Sequence, residues 1–141
     1  MNADQHQGVA VIHDRKVIVC DIDGTLTLGR EPDQSYAEVG LCMPMREKLC
    51  DLKSQGYWII LYSSRNMRTH QGNLGLIHRH TAPVLIDWLQ RHDVPFDELH
   101  LGKPWCGHDG FYVDDRAVRP KEFLQKTPEE LEQLLEQGRI A

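Results

Sequence analysis

The sequence is short of several things, and each shortage removes a class of protein. No apolar run is long enough to cross a bilayer, and the opening M-N-A-D-Q-H-Q-G has neither the basic region nor the apolar segment of an export signal. A cytoplasmic location is the expectation. Positive charge is also scarce: 16 Lys and Arg against 21 Asp and Glu give a formal net charge of −5. That balance disfavours a protein whose main task is to hold a nucleic-acid backbone, though not one that binds a small anion in a locally basic pocket. The four cysteines (Cys20, Cys42, Cys50, Cys106) form no C-x-x-C pair. Reduced thiols follow, with Cys20 and Cys50 on apolar faces. There is no internal repeat and no low-complexity tract, and 141 residues suit one domain. We expect a loose tail over 1–15 and a single domain over 16–141.

The informative stretch is Lys16 to Thr27, K-V-I-V-C-D-I-D-G-T-L-T. Val17 to Cys20 is apolar without alternation, which predicts a strand buried on both faces of a parallel sheet. It stops at Asp21. Open α/β sheets bind ligands beyond the carboxyl ends of their strands, so this is where a site belongs. Asp21 and Asp23 are two apart and project the same way from an extended segment. One carboxylate can attack phosphorus, while the other gives a proton to the leaving oxygen and later takes one from water. Gly24 permits the turn, and the Thr25 hydroxyl is expected to hold Asp23. An EF-hand loop is excluded, because its obligatory Gly and Glu positions fall on Leu26 and Pro32.

The rest of the chain alternates in the same style. Leu28 to Cys42 reads as a loop or small flap, and 44–55 as a helix with Met45, Leu49 and Leu52 inward and Gly56 as its stop. Tyr57 to Tyr62 reads as a second strand, ending in Ser63-Ser64-Arg65. Asn66 to His80 reads as an irregular, locally basic connection. Thr81 is expected to cap a helix with Val84, Leu85, Trp88 and Leu89 on one face. Glu98 to Leu101 gives a third strand followed by Gly102-Lys103, and Phe111 to Val113 a fourth, ending in Asp114-Asp115. Thr127 and Glu130 form a capping box for a last helix striped with Leu131, Leu134 and Leu135. The order implies an α/β fold, a central parallel sheet with right-handed crossovers and helices on both faces. Four strand ends then bring Asp21, Asp23, Ser63, Lys103 and Asp114-Asp115 together.

That set suits phosphoryl transfer. Asp21 with Asp114 or Asp115 supplies hard oxygen ligands for Mg2+. Lys103 balances the carboxylates and binds a phosphoryl oxygen, and the Ser63 hydroxyl donates to another.

D-I-D-G-T-L at 21–26, Ser63, Lys103 and the Asp114-Asp115 pair resemble the four signature motifs of the haloacid dehalogenase-like (HAD) phosphatase superfamily. The runs S-S-R-N-M-R-T at 63–69 and G-K-P-W-C-G-H-D-G-F-Y-V-D-D-R-A-V-R-P at 102–120 resemble its capsule-biosynthesis phosphatases of bacteria. The resemblance implies a three-layer Rossmann-like HAD fold, with Asp21 as nucleophile, Asp23 as acid/base and metal ligand through its carbonyl, Ser63 and Lys103 on the phosphoryl group, and Asp115 rather than Asp114 on the metal. Neither inserted segment is long enough for a cap domain, and capless members accept large substrates or close the site with a neighbouring subunit, so a homo-oligomer is expected. Gly24, Thr25, Ser64, Arg65 and Arg68, and His108 beyond Lys103, are the candidate substrate-binding residues. The expected substrate is a small phosphorylated carbohydrate or capsule intermediate. A nucleotide or nucleic-acid-end phosphatase and a non-catalytic module of a polysaccharide-assembly complex are the competing readings. His78 and His80 lack the further ligand pair of a zinc site.

Overall fold

The computed structural model describes residues 16–140, so the expected N-terminal tail lies outside the described residues. The chain forms two compact units, one extending to Trp105 and the other beginning at Cys106. The first unit is an α/β structure around a parallel sheet. Its elements are β1 (Val17–Asp21), α1 (Met43–Ser54), β2 (Trp58–Ser63), α2 (Leu74–His80), α3 (Ala82–Arg91) and β3 (Glu98–Leu101). Among the described residues the sheet has three strands in the order β1-β2-β3.

Register places the strand ends level. Asp21 pairs with Tyr62, and Ser63 with Leu101, both in parallel ladders. Helical crossovers are what allow consecutive parallel strands to lie side by side. α1 packs on β2, and α2 packs on α3 and β3. The core between these elements is formed by fully buried residues such as Leu49, Ile59, Leu61, Ile77, Leu85 and Trp88. Burying each such side chain contributes roughly 1.5–3 kcal/mol.

Local chemistry accounts for the helix ends. Pro44 sits in the first turn of α1, where its missing N–H costs nothing. Gly56 follows the helix with φ +94°. Met45, Leu49 and Leu52 are buried as the spacing predicts.

Several expectations are corrected. β1 is not buried on both faces, since Val19 is 59% exposed. The 66–80 connection is not irregular throughout: the Asn73 side chain accepts from the Leu76 N–H and starts α2. Thr81 does not cap α3, because it has helical φ/ψ and its hydroxyl instead donates to Asn66 Oδ1 at 2.7 Å. Val84 is exposed while Leu85, Trp88 and Leu89 are buried, so the inward face of α3 is narrower than expected. Cys50 is exposed rather than set on an apolar face, and all four cysteines are free thiols.

The second unit holds two helices, α4 (Pro120–Gln125) and α5 (Pro128–Gln137). α5 begins with the expected capping box: Thr127 Oγ1 accepts from the Glu130 N–H, and Glu130 returns a carboxylate oxygen to the Thr127 N–H. α4 is an element the sequence reading missed. The expected fourth strand is not formed: Phe111 to Val113 has no strand assignment, and Phe111 and Val113 are 80% and 88% exposed. No helix among the described residues is long and apolar enough to cross a membrane.

Candidate functional site

The site of the first unit starts at the turn after β1. The Ile22 carbonyl accepts from the N–H groups of Thr25, Leu26 and Thr27 at 2.9–3.1 Å. Ile22 and Leu26 are fully buried and fix the turn from below. Gly24 has φ +80° with nothing near a would-be Cβ, so backbone conformation rather than space requires glycine. Its N–H is satisfied by Thr27 Oγ1 at 3.2 Å. A tight turn with its backbone groups paired internally holds the side chains of Asp21 and Asp23 in fixed positions.

Each carboxylate has its own partners. Asp21 accepts from the Thr25 hydroxyl at 3.2 Å, which corrects the expectation that Thr25 holds Asp23. Asp21 Oδ1 also lies 3.4 Å from Lys103 Nζ. Lys103 is carried there by two features at the end of β3. Its N–H donates to the Ser63 carbonyl at 3.1 Å, and Gly102 turns at φ +84°, where a Cβ would meet the Leu74 side chain at 2.5 Å. Asp21 and Lys103 are thus joined across β1, β2 and β3, as the sequence predicts.

Asp23 faces the end of β2. Arg65 grips it with Nη2 at 2.8 Å from Oδ1 and Nε at 3.2 Å from the same oxygen. The Ser63 hydroxyl donates to Asp23 Oδ2 at 3.3 Å and accepts from the Arg65 N–H at 2.9 Å. The Arg65 side chain is 1% exposed while that of Asp23 is 37% exposed. The ion pair therefore has a buried cationic end and an accessible anionic end. Arg65 Nη1 is buried and has no hydrogen-bond partner among the described residues.

One partner of Arg65 was not visible in the sequence. The Tyr36 ring lies 4.3 Å from its guanidinium carbon, a cation–π contact. A cavity of about 300 Å³ is lined by Tyr36, Arg65, Asn66, His80, Thr81 and their neighbours. The Tyr36 segment is held in place at its far end, where Trp88 Nε1 donates to the Val39 carbonyl at 2.8 Å. A tyrosine in a polar loop carries no local signal of such a contact.

Other candidates are more loosely placed. Arg68 lies over the Trp105 ring at 5.9 Å, and Ser64 follows Ser63 half-buried. Asp114, Asp115 and His108 belong to the second unit and are exposed there. Asp114 Oδ1 accepts from the Arg116 N–H at 2.8 Å, forming a local turn. No cluster of three or more His, Cys, Asp or Glu side chains able to hold a metal occurs among the described residues.

Fold and site together define an α/β protein whose parallel strands end in two carboxylates, a lysine and a buried serine–arginine pair. The chain is similar to the crystal structure of an MCSG target from Vibrio cholerae, with 47% identity over 88% of this chain and 99% of that one and a TM-score of 0.84. It belongs to the family of that Vibrio cholerae protein. It is also similar to chains from two structures of the Pnkp1/Rnl/Hen1 RNA repair complex, at 27% and 26% identity over 79% of this chain, with TM-scores of 0.46 and 0.47. This chain spans about one third of those, 34% and 32%. No protein-family model matches the chain, and no curated protein matches it.

Proposed function

We propose that this protein is a HAD-type phosphomonoesterase that works through an aspartyl-phosphate on Asp21. The observation that carries the reading is the pairing of Asp21 with Lys103 at 3.4 Å beside an independently held Asp23. An accessible carboxylate next to an ammonium can meet a phosphate dianion without net repulsion.

In the first step an Asp21 oxygen attacks phosphorus and the bond to the leaving oxygen breaks. That oxygen takes its proton from Asp23. In the second step Asp23 takes a proton from water, the resulting hydroxide attacks phosphorus, and inorganic phosphate leaves with Asp21 restored. Lys103 holds a phosphoryl oxygen throughout, and Arg65 positions Asp23. Ser63 has a hydroxyl that can exchange its bond to Asp23 for one to a phosphoryl oxygen.

The oxygen-only donor set fits Mg2+. Asp21, the Asp23 carbonyl and an acid from the Asp114-Asp115 pair, with Asp115 the direct ligand, would hold it, and it would neutralise charge on the transferring group. Gly24, Thr25, Ser64, Arg65, Arg68 and His108 would face the substrate. A sugar phosphate or capsule-polysaccharide intermediate suits the resemblance of 63–69 and 102–120 to capsule-biosynthesis phosphatases.

The test is phosphate release from sugar phosphates, nucleotides and phosphorylated oligonucleotides, with and without Mg2+. Wild type should turn over a sugar phosphate only with Mg2+. Asp21→Asn should lose on the order of 10⁴-fold or more, as expected for loss of a nucleophile. Full activity in Asp21→Asn would overturn the mechanism, and a preference for oligonucleotide ends would replace the substrate class.

A further inference from the structure

Asp23 is only as well placed as the Arg65 side chain that grips it, and arginine is a long side chain with much rotamer freedom to lose. At its base Arg65 is fixed by its own N–H, which donates to Ser63 Oγ at 2.9 Å. The next residue, Asn66, is tied down as well, its Oδ1 accepting from the Thr81 hydroxyl at 2.7 Å. At the tip, Nε and Nη2 are both directed at Asp23, while Nη1 makes no hydrogen bond among the described residues. Among those residues no second acceptor sets the plane of the guanidinium. What lies against it is the Tyr36 ring, its centroid 4.3 Å from Cζ.

We propose that Tyr36 is a positioning residue: its ring holds the Arg65 guanidinium in the orientation that grips Asp23, and so ties the 28–42 loop to the carboxylates of the site. An aromatic face attracts a cation without competing for its N–H groups. A carboxylate in the same place would draw the guanidinium away from Asp23, and an aliphatic side chain would leave its plane free to turn. The neighbours of Tyr36 hold the ring in place. Ser35, just before it, donates its N–H and its hydroxyl to Glu38 Oε1 at 3.0 and 2.7 Å. Ala37, just after it, has its carbonyl bound by Arg91 Nη2 of α3 at 2.9 Å. The guanidinium carbon of Arg30 lies 4.6 Å from the same ring. All of these residues belong to the first unit.

The consequence for the reaction rests on the proposed phosphatase reading. There Asp23 gives the leaving oxygen its proton, so a displaced Asp23 slows bond breaking only where that proton is needed. A sugar alkoxide is a poor leaving group and needs it, whereas para-nitrophenolate leaves without it. The ratio kcat/KM reads the steps up to departure of the leaving group and not the later hydrolysis of the aspartyl-phosphate. Loss of the Tyr36 ring is therefore expected to act selectively on sugar phosphates.

Two measurements test this. The first does not depend on activity. In proton–nitrogen correlation spectra the Arg65 Nε–H signal, assigned through its own side chain, should exchange slowly with water in wild type and Tyr36→Phe. In the ringless variants Tyr36→Leu and Tyr36→Met it should exchange about tenfold faster or more. Exchange in the ringless variants equal to that of wild type would overturn the proposal, as would a change in Tyr36→Phe as large as theirs. In the second, kcat/KM is measured for the sugar phosphate that wild type prefers and for para-nitrophenyl phosphate. The ringless variants should lose about tenfold or more on the sugar phosphate and less than about threefold on the aryl ester, with Tyr36→Phe within about threefold of wild type on both. Equal losses on the two substrates would overturn the proposal. If exchange depends on the ring but wild type hydrolyses no phosphoester, the phosphatase reading falls and the positioning of Arg65 by Tyr36 stands.

Discussion

Two stretches of this chain are written alike and behave differently. V-I-V-C-D at 17–21 and F-Y-V-D-D at 111–115 are both short runs of β-formers that end in acid. The first is β1, laddered to β2 along its whole length, and its terminal Asp21 is held by Thr25 and Lys103. The second has no strand assignment, and its Asp114 binds only the nearby Arg116 N–H among the contacts described. A run of β-formers is an offer to pair, and acceptance depends on a partner elsewhere in sequence or in another molecule. The same holds for the acids: a strand-end carboxylate becomes part of a site only when other elements supply its counter-charges.

The largest effect that would sharpen this contrast concerns stability. Asp23→Ala removes the partner of a guanidinium that is 1% exposed. Stranding a buried charge costs about 3 kcal/mol or somewhat more. Asp114→Ala removes one exposed hydrogen bond and should cost about 0.5 kcal/mol or less. Denaturant unfolding of both variants at one protein concentration checks the difference. Equal losses would mean that Arg65 finds another acceptor, and the two acids would no longer differ in kind.

A smaller effect separates neighbours on β2. Ser63 is fully buried and bonded both to Asp23 and to the Arg65 N–H. Ser63→Ala is expected to lower kcat about a hundredfold, the size of losing one donor to developing charge. Ser64 is half-buried at the next position, and Ser64→Ala should change kcat less than about threefold. Steady-state kinetics on the preferred phosphoester decide it. A Ser64→Ala loss as large as that of Ser63→Ala would move the hydroxyl of the site one residue along the chain.

The fold class was legible because β1, β2 and β3 each follow from a local apolar run and because α1 and α5 announce their ends with proline, glycine and a capping box. The Asp21–Lys103 approach was legible for the same reason: both residues stand directly at or beyond strand ends, and parallel register brings strand ends together. Asn73 as the cap of α2 was missed because the glycine and histidines of L-G-L-I-H-R-H masked a seven-residue helix. Thr25 was assigned to the wrong carboxylate because an extended-segment argument cannot follow the turn that begins at Ile22. Tyr36 over Arg65 was illegible, since it depends on how a polar loop returns to the sheet.

The smallest effect tests whether the end of β1 is as firmly packed as the contrast requires. Cys20 precedes Asp21 and is 7% exposed. Burial pushes its thiol up to about 12, the neighbouring Asp21 charge adds to the rise, and Lys103 partly offsets it. In the unfolded chain the same thiol ionises near 9.0. Between those values the unfolded state binds fewer protons than the folded one, so stability is full below pH 9 and falls as pH rises through the window. From pH 8 to pH 10 this amounts to about 1 kcal/mol. Cys20→Ala removes that contribution and leaves every other titrating group in place. The wild type should therefore lose about 1 kcal/mol more than Cys20→Ala over that interval in denaturant unfolding. At pH 8 a thiol reagent should label exposed Cys50 while sparing Cys20. Parallel losses in the two proteins, or rapid labelling of Cys20, would mean that the end of β1 opens to water, and the site-bearing strand would then resemble the 111–115 segment it is contrasted with.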